Sequence, residues 1–394
     1  MSKLITLNEI VEINPRIPKR LSADPEQKVS FVPMASVSKT GAISSDDERP
    51  LKDVMKGYTY FQEGDVLLAK ITPCFENGKA AMVNGLPHTT GFGSTEFHVF
   101  RPGKDVDAKY LFYQIWNPVF RFIGSKNMTG TAGQKRLPAG FLKRHKIPLP
   151  PLAEQKRIAD ILDKSDAIRR KRQQAIKLAD DFLRATFLDM FGDPVTNPKE
   201  WPLGSIRELI SEAKYGTSKK ASNSTGKYPI LRMNNITYSG EMDFTELKYI
   251  DLEKKEVDKY LAKKGDLLFN RTNSKELVGK TAVFESSAPM AIAGYLIRVR
   301  TNERATPQYL SAYLNSSHGK ATLVGMCKSI VGMANINAQE LQDIKMLIPP
   351  VTLQKQYSEI VWKIRERKKR HFEAADIGDT LFNALTQRAF RGEL

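Results

Sequence analysis

Two stretches of this 394-residue chain carry side chains suited to pairing with phosphates and base edges. Lys126-Asn127-Met128-Thr129-Gly130-Thr131-Ala132-Gly133-Gln134-Lys135-Arg136 mixes cations, amides and hydroxyls with glycines. Asn and Gln match the donor–acceptor edge of adenine, Lys and Arg reach phosphate or guanine, and glycine lets main chain approach closely. Lys126, Asn127, Thr129, Thr131, Gln134, Lys135 and Arg136 are therefore candidates, and an ordinary glycine-rich connector is the alternative. The counterpart, Lys328-Ser329-Ile330-Val331-Gly332-Met333-Ala334-Asn335-Ile336-Asn337, offers Lys328, Ser329, Asn335 and Asn337. Lys70 and Thr72 follow one apolar strand-like run, and Arg271, Thr272 and Asn273 follow another. A strand end carrying a cation and small polar groups suits a phosphate or a base edge. A surface loop with a structural salt bridge fits as well. Asn234 and Asn235, and Lys219 and Lys220 near Tyr215, are weaker candidates.

The charge agrees with a polyanionic partner. The formal net charge is +17 from 61 Lys and Arg against 44 Asp and Glu, and residues 101–150 alone hold ten cations against two acids. Each neutralised phosphate releases condensed counterions, so clustered cations favour nucleic acid. The chemistry of catalysis is missing. Asn117-Pro118-Val119-Phe120 lacks the second proline of an adenine-methyltransferase base-holding segment. Ser274-Lys275-Glu276-Leu277-Val278-Gly279-Lys280-Thr281 has serine where a phosphate loop needs its first glycine. Gly78-Lys79 and Gly279-Lys280 read best as hairpin turns entering a strand. Five histidines show no metal-ligand spacing, so no metal is expected. Cys74 and Cys327 make no disulfide framework and read as buried thiols in a reducing cytoplasm. No apolar run could span a bilayer, so a cytoplasmic protein without a membrane partner is expected.

What must position these residues is built twice. An offset of 199 places Met34 on Met233, Gly41 on Gly240, Tyr110-Leu111 on Tyr309-Leu310 and Phe191 on Phe390. An offset of 201 places Gly64-Asp65-Val66-Leu67-Leu68 on Gly265-Asp266-Leu267-Leu268-Phe269. Each copy opens with a short helical segment, Leu7–Ile13 and Leu203–Leu209. Strand-like runs follow at Val29–Met34, Asp65–Ala69, Lys79–Val83 and Phe97–Phe100, then a helix at Tyr110–Trp116. Proline pairs at 150–151 and 349–350 mark the entry to long charged helices, since proline suits the first turn and disfavours helix before it. The helical pattern begins at Leu152, itself a seam candidate, and heptad spacing puts Ile158, Ile161, Ile168 and Phe182 of the first helix, and Ile360, Ile364, Leu381 and Leu385 of the second, on a seam. Arg172 and His371 stand at its middle. The division is 1–150, a globular domain; 151–193, a helix; 194–350, a second globular domain beginning with the linker 194–202; and 351–394, a second helix. The fold class is α/β (α+β), with the helices an antiparallel coiled-coil pair and a pseudo-two-fold relating the copies.

Pro148-Leu149-Pro150-Pro151-Leu152-Ala153-Glu154-Gln155-Lys156-Arg157-Ile158-Ala159 opening a long helix, its degenerate copy at 348–359, and Gly265-Asp266-Leu267-Leu268 carry a resemblance. The chain resembles the specificity subunit of type I restriction–modification systems over its whole length. Val351-Thr352-Leu353 departs from Leu152-Ala153-Glu154, while Gln354-Lys355 keeps the pattern. The resemblance implies that each domain reads half of a bipartite double-stranded DNA target and that the helices set the spacer. It further implies docking of two modification (methyltransferase) subunits that carry S-adenosylmethionine. Restriction subunits using ATP and Mg would join them, and this chain would catalyse nothing and hold no cofactor. Reading both half-sites from one side suggests centres about 10 bp apart. A self-contained methyltransferase or nuclease, and a helical protein scaffold that reads no DNA, are the competing readings.

Overall fold

In a computed structural model, which describes residues 3–19, 21, 24–131, 133–274, 277–330, 333–391 and 393, one order of elements is traversed twice. The opening helix is shorter than its spacing predicts. Thr6 and Glu9 close a capping box over Leu7–Ile10, and the β-branched Val11 then starts the strand Val11–Ile13. In the second copy Ser205 and Glu208 do the same over a 3-10 turn, Ile206–Leu209, before Ile210–Tyr215.

Val11–Ile13, Phe97–Pro102, Val66–Ala69 and Ala80–Met82 form an antiparallel sheet in that spatial order. Ile210–Tyr215, Leu296–Thr301, Leu267–Asn270 and Thr281–Val283 repeat it. Asp65 and Asp266 explain the paired Gly-Asp turns. Each accepts a turn amide, from Gln62 (2.8 Å) and Lys263 (2.9 Å), and each is buried against an arginine, Arg101 (2.7 Å) and Arg300 (2.8 Å). A second sheet runs Glu48–Pro50, Lys28–Val32, Thr90–Gly93, Thr59–Gln62, with Lys28–Val32 and Thr90–Gly93 parallel. The expected strand Val29–Met34 stops at Val32, because Pro33 has no amide for the ladder and introduces the turn Met34–Ser36.

The long helices are Leu152–Phe191 and Val351–Arg391. Two compact units contain them, Met1–Gln174 with Phe372–Leu394, and Ala175–His371, so each unit takes half of each helix. Within the first unit the halves run antiparallel. Arg172 donates to the Ala374 carbonyl (2.6 Å), while Arg169, three residues earlier, lies over the ring of Phe382. Ile158, Ala159 and Leu162 share a core with Phe382 and Ala389, and Phe382 packs on Tyr113 and Trp116 of the helix Ala108–Trp116. In the second unit Phe187 and Phe191 meet Tyr309, Tyr357 and Val361.

The seam expected from heptad spacing needs correction. Ile158 is buried, and Ile161, Ile360, Ile364 and Leu385 are half-buried. Leu152, Ile168, Phe182 and Leu381 are exposed, at 40 to 53%. Leu162, Asp166, Phe187, Val361, Lys368, Phe382 and Thr386 are buried instead. Each helix packs on a globular domain as well as on its neighbour, and that broader arc displaces a two-in-seven stripe. The middle is polar, as expected. Lys368 is buried between Asp180 (2.6 Å) and Glu241 (2.9 Å), and Gly378 leaves room for Arg172.

The glutamine of the repeated proline motif fixes each helix to its domain. Gln155, fully buried, accepts from the Asp107 amide (2.9 Å) and donates to the carbonyls of Asp105 (3.0 Å) and Pro150 (2.8 Å). Gln354 does the same with the Thr306 amide (2.9 Å) and the carbonyls of Arg304 (3.1 Å) and Pro349 (2.8 Å).

Candidate nucleic-acid interface

The two groups of candidates in the first domain form one surface. The Leu137 amide donates to the Lys70 carbonyl (2.8 Å) and the Thr72 amide to the Lys135 carbonyl (2.9 Å). Thr129 and Arg136 exchange main-chain bonds of 3.0 and 2.8 Å. The strand end thus zips onto a hairpin whose tip carries the glycine-rich segment. Gly130 has φ +125°, and a Cβ there would lie 2.9 Å from the Gln134 carbonyl oxygen, so the turn requires glycine. Lys126, Asn127, Thr129, Thr131, Gln134, Lys135 and Arg136 are all exposed, and Lys70 and Thr72 are half-buried. Some already have partners. Asn127 donates to the Ile123 carbonyl (2.9 Å), Thr72 to the Lys135 carbonyl (3.0 Å), and Arg136 grips Glu96 through Nε and Nη2 (2.7 to 3.1 Å). Those bonds from Arg136 hold the Glu96 carboxyl below its ordinary range, against a smaller opposing effect of burial.

The second domain repeats the ribbon. The Ile336 amide donates to the Arg271 carbonyl (2.9 Å), Thr272 pairs with Asn335, and Asn335 with Lys328. Asn335 is exposed, while Thr272 and Asn273 are half-buried. The Arg271 guanidinium lies over the Tyr215 ring (4.8 Å), whose hydroxyl accepts from the Ala338 amide (2.8 Å). The side chains of Lys328 and Ser329 lie outside the described residues, as do Ala132, Lys275, Glu276, Val331 and Gly332.

Two candidates, Asn235 and Asn337, use their side chains to hold the local main chain. Asn235 is buried, accepting from the Arg232 amide (2.9 Å) and donating to the Asp243 (2.8 Å) and Glu246 (3.2 Å) carbonyls. Asn337 caps the helix Ala338–Asp343, accepting from the amides of Gln339 (2.8 Å) and Glu340 (2.9 Å). Lys219 pairs with Glu256 (2.6 Å). Asn234 and Lys220 are exposed but sit apart from the ribbon in sequence and pairing. The Gly-Lys pairs are structural in both copies, because Lys79 donates to the Met34 carbonyl (2.9 Å) and Lys280 to that of Met233 (2.9 Å). Burial lowers the pKa of Lys280, and its ammonium faces main-chain oxygens rather than a phosphate loop.

Sequence reasoning missed Glu96 and Tyr295. Lys70 donates its amide to the Glu96 carbonyl (2.8 Å) and Arg271 to that of Tyr295 (3.0 Å), so these residues are equivalent. The repeat offset of 199 carried that signal, placing different residue types one position before matched buried strands.

The helix halves in the second unit leave an apolar hollow of about 590 Å³. Ala175, Leu178, Ala179, Phe182, Ala185 and Ile364 line it, with Asp181, Arg367, Lys368 and His371 around them. Among the described residues no helix is long and apolar enough to cross a membrane, and no cluster of His, Cys, Asp or Glu suits a metal ion.

Comparison with known proteins identifies the family and the fold. The family described as type I restriction modification DNA specificity domain matches residues 2–178 and again 198–369. The specificity subunit of the Escherichia coli type I restriction enzyme EcoAI is 49% identical over 155 residues. That is 39% of this chain but only 26% of that subunit's length. The EcoKI specificity subunit of E. coli strain K12 is 26% identical over 341 residues, 80% of this chain and 72% of that one. In fold, the chain resembles the crystal structure of the type I restriction–modification S subunit from M. genitalium, with a TM-score of 0.60 and 13% identity over 98% of this chain and 96% of that one.

Proposed function

Because this chain belongs to the type I restriction modification DNA specificity family, we propose that it is the DNA-recognition subunit of such a complex. Each α/β domain reads one half of a bipartite duplex target, and the helix pair sets the unread spacer. The observation that carries this reading is one scaffold built twice with different chemistry at the same place. Both ribbons are held by the same main-chain bonds, Leu137 to Lys70 and Ile336 to Arg271. Arg136 stands in one where Asn335 stands in the other. Two different readers on one frame suit a target whose halves differ.

The exposed apolar residues of the helices, Phe182 among them, supply docking area for two modification subunits. Those subunits would bring S-adenosylmethionine and methylate adenine. Restriction subunits would bring ATP and Mg, and the work would take place in the cytoplasm. This chain contributes recognition and assembly rather than catalysis.

The test is the adenine-methylation motif in genomic DNA when the full chain is co-expressed with its modification subunits. A two-part motif with a fixed spacer is expected. Exchanging residues 201–345 for another recognition domain should change one half only; changes in both halves refute independent reading. Seven residues inserted at equivalent places in both helices add about 10.5 Å, or about three base pairs of spacer. An altered half-site with an unaltered spacer refutes the ruler. A chain that bridges the subunits yet binds scrambled and target duplex alike would be a scaffold instead.

A further inference from the structure

The ion pair at the root of the first ribbon has a geometry beyond charge neutralisation. Leu137 points into the core, so Arg136, one residue earlier on the ribbon, points outward. Its guanidinium has two edges that can bind a planar acceptor pair. Glu96 occupies the edge made by Nε and Nη2. The edge made by Nη1 and the second Nη2 hydrogen remains, touched among the described residues only by the Gln134 carbonyl at 3.3 Å from Nη1. That fork matches the O6 and N7 acceptors of guanine.

Charge argues against a phosphate anchor. Glu96 cancels the arginine's charge, and a neutral pair attracts an anion weakly. It remains a good base reader, because recognition of a base edge needs a fixed fork more than net charge. Lys135, exposed on the same hairpin, and Lys126, exposed at the end of the helix Pro118–Lys126 that leads into it, are the better phosphate contacts. The second domain has neither member of the pair, with Asn335 at the arginine's place and the exposed Tyr295 at the glutamate's.

We propose that Arg136 reads a guanine in the half-site of the first domain, and that Glu96 is the positioning residue that turns its free fork outward. The second domain reads a different base at the matching place. This rests on the recognition function proposed above and names the residue that fixes one base of it.

The experiment uses the full chain with its modification subunits and reads the methylated genomic motif. Wild type should require guanine at one position of one half-site. Arg136→Ala and Arg136→Lys should each relax that position by about 5- to 150-fold, leaving its neighbours, the other half-site and the spacer intact. Glu96→Gln should relax the same position less, a change of one base identity that a merely structural role would not produce. An unchanged motif in Arg136→Lys overturns the assignment, because a point charge would then suffice. Relaxation spread over both half-sites also overturns it. If Arg136→Ala fails to fold, Arg136→Lys and Arg136→Gln decide by the same criteria. A wild-type chain that gives no two-part motif instead refutes the recognition function itself, and this assignment with it.

Discussion

Gln155→Leu keeps the volume of a fully buried side chain and removes all three of its hydrogen bonds. The Asp107 amide loses its acceptor, at a cost of about 1–3 kcal/mol for a desolvated donor. The carbonyls of Asp105 and Pro150 each lose a donor, which adds a smaller amount because carbonyls tolerate underuse better than amides. The sum is about 2–4 kcal/mol, concentrated where the long helix meets its domain. Amide hydrogen exchange measures it residue by residue. The Asp107 amide should exchange roughly 30- to 900-fold faster. The Thr306 amide, held by Gln354 in the other copy, should barely change. Melting should fall by about 4–16 °C for a unit of this size. Unchanged protection at Asp107 would refute the claim that this amide joins helix to domain.

Lys368→Met strands two carboxylates, Asp180 and Glu241, beside an apolar side chain and should cost about 3 kcal/mol in urea denaturation. Adding Asp180→Asn and Glu241→Gln should restore most of it, and no recovery would show that the charges are not coupled. Phe382→Ala opens a cavity beneath Tyr113 and Trp116 and should cost about 3–5 kcal/mol. Phe182→Ser should leave the melting temperature almost unchanged, since the ring is already exposed. It should weaken co-purification with modification subunits, and a folding defect would place Phe182 in the core after all. Glu96 has a lowered folded-state pKa because Arg136 bonds its charged form. The associated stability is present above the ordinary value of 4.5 and is lost as pH falls through the lowered one. Arg136→Ala should therefore flatten acid unfolding below pH 4.5, and an unchanged acid profile would separate Glu96 from Arg136.

Local residue chemistry made much of the molecule legible. The duplication, the Gly-Asp turns and the proline starts of the helices are written in short-range patterns. So are the strands Val66–Ala69 and Leu267–Asn270, four consecutive apolar or small residues each in the first copy and nearly so in the second, which only a sheet buried on both faces would hide. The sheet built from Lys28–Val32, Glu48–Pro50, Thr59–Gln62 and Thr90–Gly93 was largely silent, because short strands of mixed polarity gain their burial from neighbours distant in sequence.

Side-chain partners were decided by the fold. Asn235 and Lys280 have the composition of ligand-binding residues, yet tertiary contacts give each of them main-chain partners. The helix seam shows the same limit. Periodicity identifies a helix with an apolar stripe, but not whether the stripe faces another helix, a domain, or both at once. Arg136 was visible from its type, while its orientation came from Glu96, 40 residues away in sequence and adjacent only after the strand end and the hairpin pair. The sequence by itself determined that two copies of one unit exist and where the long helices and the strands after the Gly-Asp turns lie, because those are short-range properties of the chain. Tertiary structure alone decided which polar groups remain free for a ligand, because a hydrogen-bond partner is set by proximity in space.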